Sequence, residues 1–192
     1  MVKTASRLMQ AGLTPSVSEV AEAAEVSRAT AYRYFPNQAA LVHAVVDEAL
    51  GPILKWKGKT QDAEQRILDL FEKALPRISE FEATFKAALR LSLEQWAQDG
   101  PTGEQPRFTR GHRIELLNDA LSPLRGTLPE ESFDRLAQAL SLIFGVEVYT
   151  VLKDIWQLSD GQSSKVAKWA ACALVRSAIA EAAETGARGD ER

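Results

Sequence analysis

The stretch VSEVAEAAEVSRATAYRYFPNQAALVHAVV, residues 17–46, decides the fold. Ser16-Val17-Ser18-Glu19 opens it as a capping box. The Ser16 hydroxyl accepts from the amide three residues on, and the Glu19 carboxylate reaches back. Val17, Val20, Ala21 and Ala24 then form the buried stripe of a short helix. Ser27 caps the next helix, Arg28 to about Tyr34. Pro36 stops it, because proline disfavours helical geometry in the residue before it. Asn37 caps another helix carrying Leu41, Val42, Val45, Val46 and Ala49, which Gly51-Pro52 breaks. Two short helices joined by a tight turn have the spacing of a helix-turn-helix.

In such a unit the second helix enters the major groove, and its first residues reach base edges. Arg28 can bond a guanine with two hydrogen bonds, and Thr30 can donate or pack on a thymine methyl. Ala29 lets the backbone approach closely, and the Tyr32 and Tyr34 hydroxyls can reach phosphates. Arg33 is either a phosphate contact or a solvated charge, and Tyr34 has packing as its other reading. His43, on the following helix, reads first as structural or exposed and second as a phosphate contact.

The surrounding chain has 192 residues with a formal net charge of −3, so bulk charge does not make it a polyanion binder. Nucleic-acid contact requires a local patch. Residues 1–50 hold four cations against five carboxylates, whereas residues 26–46 carry Arg28 and Arg33 and no carboxylate. Lys55, Lys57 and Lys59 follow. The single cysteine, Cys172, excludes an intramolecular disulfide. With only His43 and His112 beside it, it argues against a zinc site, and the apolar setting of Cys172 points to an inert thiol. No nucleophile elbow, phosphate loop or paired-carboxylate motif appears, so neither an enzyme nor a cofactor is expected. The longest apolar run, Leu140 to Leu152, spans 13 residues and contains Glu147, too short for a membrane span. The amino-terminal residues lack the apolar core of a signal peptide, and the expected location is cytoplasmic.

Helical periodicity dominates the whole chain, with 29 Ala and 22 Leu and no alternating strand segment. The expectation is an all-α protein of about nine helices. A three-helix helix-turn-helix head, residues 1–50, precedes a helical bundle for ligand sensing and dimerisation, residues 51–192. The first helix, with Val2, Ala5, Leu8 and Met9 on one face, ends at Gly12. Further helices are expected over about 61–79, 81–98, 106–124, 129–157 and 160–184. A loop falls at residues 99–103, and a polar tail follows residue 185. Ser159 to Gln162 resembles a second capping box. The last two helices are apolar around much of their circumference, which predicts burial on more than one side. Pairing with their symmetry mates makes a homodimer, and a sandwich within one monomer is the other solution.

Phe71, Phe85, Leu89, Leu93 and Trp96 have helical spacing and are expected to face inward, as candidates for a ligand pocket with His112, Phe144 and Glu147. Ordinary core packing is the competing reading for the aromatic and aliphatic members. Glu147 interrupts an apolar run and needs a partner. Arg110 and Arg113 are available, so a structural salt bridge comes first and a ligand-orienting role second.

The frame Val-Ser, Tyr, Phe, Leu, met by Val26, Ser27, Tyr32, Phe35 and Leu41, resembles the DNA-binding signature of TetR-type transcriptional regulators. The resemblance runs from Leu13 to about Ala49. It implies an all-helical homodimer on a near-palindromic double-stranded operator, with a C-terminal domain that senses a small molecule. A repressor released by a lipophilic effector is the resulting expectation. Arg28, Ala29, Thr30 and Tyr34 match the family's base-proximal positions, and Tyr32 its phosphate-contacting tyrosine. Ser16 and Ser18 lie where amides and hydroxyls meet phosphate. Val26, Phe35 and Leu41 match packing positions.

Two positions depart from the pattern. Glu25 stands where the turn usually has glycine, at a place that favours positive φ, at a cost of about 1 kcal/mol. Gln38 stands where a lysine commonly meets phosphate, so binding should be weaker and less salt-dependent. These departures support an alternative, a regulator-like dimeric interaction protein with weak or absent DNA binding.

Overall fold

The computed structural model describes residues 1–99 and 111–190, and among them the chain is all-α. The helices are α1 (Val2–Gln10), α2 (Val17–Ala23), α3 (Arg28–Tyr34), α4 (Gln38–Leu50), α5 (Ala63–Glu80), α6 (Glu82–Asp99), α7 (His112–Ala120), α8 (Glu130–Ser141), α9 (Val146–Tyr149) and α10 (Asp160–Asp190). Short 3-10 turns cover Gly51–Lys55 and Ser122–Leu124, and a π-type turn covers Thr150–Ile155. Among the described residues no single helix is long and apolar enough to cross a membrane. The expected loop at 99–103 and the start of the helix expected at 106 fall largely outside the described residues, as do Arg110 and the last residues of the tail.

The chain divides into two compact units, Met1–Gly51 with Glu80–Arg110 and Pro52–Ser79 with Gly111–Arg192. The first unit therefore contains the helix-turn-helix and also α6. Its core joins Ala5 and Met9 of α1, Val17, Val20 and Ala21 of α2, Ala31 of α3, and Leu41, Val42 and Val45 of α4. Ala87, Ala88 and Leu91 of α6 enter the same core. With Thr84 they occupy successive turns of one helical face, which is the face α6 buries. Leu93 and Trp96 lie off that face and are each 60% exposed, so they do not point inward as their spacing suggested. Phe85 packs partly buried against the head's core.

The second unit is built on α5, which buries Ile67, Leu70, Phe71, Ala74, Leu75 and Ile78. Phe71 meets Phe144 at 5.1 Å between ring centroids, tilted by 46°. The buried Tyr149 hydroxyl donates to the Leu75 carbonyl at 2.9 Å. Arg66, 7% exposed, is held by five acceptors: the carbonyls of Thr60, Asp119 and Ala120, the Asp119 carboxylate and the Ser122 hydroxyl. So many partners are what a buried guanidinium requires.

The helix expected to run unbroken from 129 to 157 is interrupted at Leu142–Gly145, which raises the helix number from nine to ten among the described residues. Gly145 has φ 151°, a conformation open in practice only to glycine. Arg113 of α7 clamps the break. One of its nitrogens donates to the Ser141 carbonyl at 2.8 Å, and the other holds both Glu147 oxygens at 3.0 and 2.8 Å. A Cβ on Gly145 would stand 2.5 Å from both groups. The capping box before α10 is present. The Ser159 amide donates to the Gln162 side chain at 2.9 Å, and the Gln162 amide returns to the Ser159 hydroxyl at 3.4 Å.

Candidate nucleic-acid interface

Local caps define α2 and α3. Ser16 accepts from the Glu19 amide at 3.2 Å, and its own amide donates to the Glu19 carboxylate at 2.7 Å. Accepting from the Ser16 amide, then from the Ser16 hydroxyl, holds the Glu19 carboxyl below its ordinary value. Glu25 closes the turn with φ 54°, the left-handed conformation expected at that position. The Val26 amide then donates to the Ala21 carbonyl at 2.9 Å. Ser27 caps α3 by accepting from the Thr30 amide at 3.2 Å, and its hydroxyl donates to the Thr30 hydroxyl at 2.9 Å.

Within α3 only Ala31 is buried. Arg28, Ala29, Tyr32, Arg33 and Tyr34 are exposed, and Thr30 is half-buried. An exposed face carrying two guanidiniums, two phenols and a small residue can offer donors to phosphates and base edges. The Tyr32 and Ser18 hydroxyls stand 3.2 Å apart, which joins α2 and α3 in one polar cluster. The Arg33 guanidinium lies 5.2 Å from the Tyr34 ring centroid, a cation–π distance. Val26 and Phe35 are half-buried, Leu41 is buried, and Phe35 packs on the head's core.

Gln38 is engaged elsewhere. Its amide nitrogen donates to the carbonyls of Thr14 and Pro15, each at 3.0 Å. This ties the start of α4 to the segment entering α2. Arg90 of α6 donates to the Thr14 hydroxyl, a contact with no signal in the local sequence pattern.

The eight pocket candidates are divided between the units. Phe85, Leu89, Leu93 and Trp96 belong to the first, and Phe71, His112, Phe144 and Glu147 to the second. Phe71 and Phe144 are buried together, His112 is half-buried, and Glu147 is paired with Arg113. Burial is the main reason the Cys172 thiol sits above its ordinary value, and Glu64 adds to it. Arg176 and Lys168 stand near it and offset only part of that effect.

Among the described residues, no group of three or more metal-ligating side chains occurs. No curated protein and no solved structure matches the chain. Residues 2–45 match the model of the bacterial regulatory proteins, tetR family.

Proposed function

We propose, from the match of residues 2–45 to the bacterial regulatory proteins of the tetR family, that the chain is a DNA-binding transcriptional regulator, and more closely a dimeric repressor that binds a near-palindromic operator and is released by a small molecule. The observation that carries the reading is the exposed face of α3, presented by a capped α2 and a closed turn. In this reading Arg28, Ala29 and Thr30 meet base edges, with Tyr34 beside them. Tyr32, Ser18, Ser16 and Arg33 fix the helix on phosphates. The polar Tyr32–Ser18 pair supports the phosphate role.

Dimerisation through the last helices is supported by large apolar side chains left exposed there. Leu142, Ile155, Trp156 and Trp169 are 69–75% exposed, and Val166 and Ile179 stand with them. Large apolar side chains left in water are what a protein interface covers. An effector that binds the DNA-incompetent state more tightly shifts the population and frees the operator. The aromatic pair Phe71–Phe144 suits a lipophilic effector, and α4, ending at Leu50 with Gly51 as its cap, is the proposed transmitter.

A second reading, a regulator-like interaction protein with weak DNA binding, is favoured by Gln38. Its amide is spent on backbone carbonyls at the position where a phosphate-binding cation is expected. A gel shift against the gene's own upstream DNA at two salt concentrations separates the readings. Specific, salt-sensitive binding at nanomolar protein is expected for the repressor, and no binding at micromolar protein leaves the second reading.

A further inference from the structure

Thr14 and Pro15 stand directly before Ser16, the cap of α2, and side chains from two later helices hold them. Gln38, the first residue of α4, donates its amide nitrogen to the Thr14 and Pro15 carbonyls, each at 3.0 Å. Two carbonyls facing one amide accept only from its NH2 end, so Gln38 acts here as a donor. Arg90 of α6 donates to the Thr14 hydroxyl. The same guanidinium pairs with Glu94 one turn further along α6, at 3.2 Å. Both helices are anchored independently of these ties. Asn37 caps α4 by accepting from the Ala40 amide at 2.8 Å, and Leu41, Val42 and Val45 enter the head's core. Leu91, next to Arg90, enters the same core with Ala87 and Ala88.

α2 has only seven residues, and a helix that short takes its place from its surroundings. Val17, Val20 and Ala21 bury one face of it, but apolar contact is non-directional and leaves the helix free to slide along its own axis. Hydrogen bonds are directional, and those to Thr14 and Pro15 fix the point from which α2 starts. That point matters to the polar surface shared with α3. The Ser18 hydroxyl of α2 stands 3.2 Å from the Tyr32 hydroxyl of α3, and a slide of about 1 Å would part them beyond hydrogen-bond reach.

We propose that Gln38 and Arg90 are positioning residues for operator binding: they pin Thr14 and Pro15 so that the Ser18 and Tyr32 hydroxyls present themselves together to one backbone phosphate of the duplex. The proposal rests on the DNA-binding reading of the head. Neither Gln38 nor Arg90 meets DNA in it. Gln38 acts through the backbone it holds rather than through a charge, and Arg90 makes α6 a part of the DNA-reading head.

A mutant cycle on the full chain tests it, with a duplex that the wild-type protein selects from a random pool as the probe. Gln38→Met keeps the stem and removes the donor, and it should weaken duplex binding about tenfold, with Arg90→Met weakening it by about threefold or more. Arg90→Lys keeps a donor and should regain most of the loss. In a Ser18→Ala, Tyr32→Phe background, which lacks both hydroxyls, Gln38→Met should cost less than about twofold, because residues that act through one contact are not additive. Thermal melting of each variant runs alongside. Full additivity in that background overturns the proposal, as does unchanged affinity in Gln38→Met. Affinity losses that only follow falling melting temperatures, without the non-additivity, also overturn it and make the two residues ordinary parts of the head's fold. Failure of the wild-type protein to select any duplex overturns the DNA-binding reading itself, and this proposal with it.

Discussion

Glu25 holds φ 54° in the turn between α2 and α3, where its Cβ crowds the backbone. Glu25→Gly should stabilise the protein by about 1 kcal/mol, seen as a higher urea midpoint with an unchanged slope. A lower midpoint would mean that the Glu25 side chain supplies something the turn needs. Arg28 is exposed at the first position of α3, and in the proposed reading it meets a base edge there. Arg28→Ala is expected to cost roughly 1–3 kcal/mol of operator binding and to relax specificity at one base pair. An unchanged binding profile across operator variants refutes the base contact. Glu19 titrates below its ordinary value because the folded Ser16 amide and hydroxyl both donate to it. Its folded pKa is depressed, so its contribution to stability is present above the unfolded value of about 4.3 and fades as pH falls through the lower folded value. Glu19→Gln should therefore flatten that part of the acid limb in denaturation curves taken between neutral and acidic pH.

Helix boundaries in the head were legible because each rests on local chemistry. Ser16, Ser27 and Asn37 cap α2, α3 and α4 with their own side chains, and Pro36 sits in the gap before α4. The break between α8 and α9 was not legible. Leu140 to Tyr149 keeps an apolar pattern through Gly145, and a glycine inside such a pattern is often tolerated. What interrupts the helix is Arg113, distant in sequence, which satisfies the Ser141 carbonyl and pairs with Glu147. Gly145→Ala would place a methyl 2.5 Å from both partners and impose a strained φ. A destabilisation of about 2 kcal/mol or more is expected, measured by chemical denaturation. A neutral result would show that the Arg113–Glu147 pair can move aside freely.

At the scale of the molecule, α6 groups with the head although it is separated in sequence from α4. Its short buried face of Thr84, Ala87, Ala88 and Leu91 is less conspicuous than the larger Phe85, Leu89, Leu93 and Trp96. Large residues attracted the expectation of an inward face, yet small ones make the close helix contact. The exposed Ile155 and Trp169 belong to the proposed dimer face. The double variant Ile155→Glu, Trp169→Glu should sediment as a monomer while the single chain keeps its helical spectrum, since burying a charge in an apolar interface is costly. A dimer that survives both changes lies on another surface.

The amino-acid sequence by itself determined the helical class and the capped helix-turn-helix. These depend on periodicity and on contacts three or four residues apart, which the chain order already supplies. Only tertiary structure decided that Gln38 turns to the Thr14 and Pro15 carbonyls, that Arg113 satisfies Glu147, and that Arg90 reaches the Thr14 hydroxyl. Each of these brings together charged or polar groups from separate helices. Their partners are chosen by how the helices pack, and packing leaves no period in the sequence.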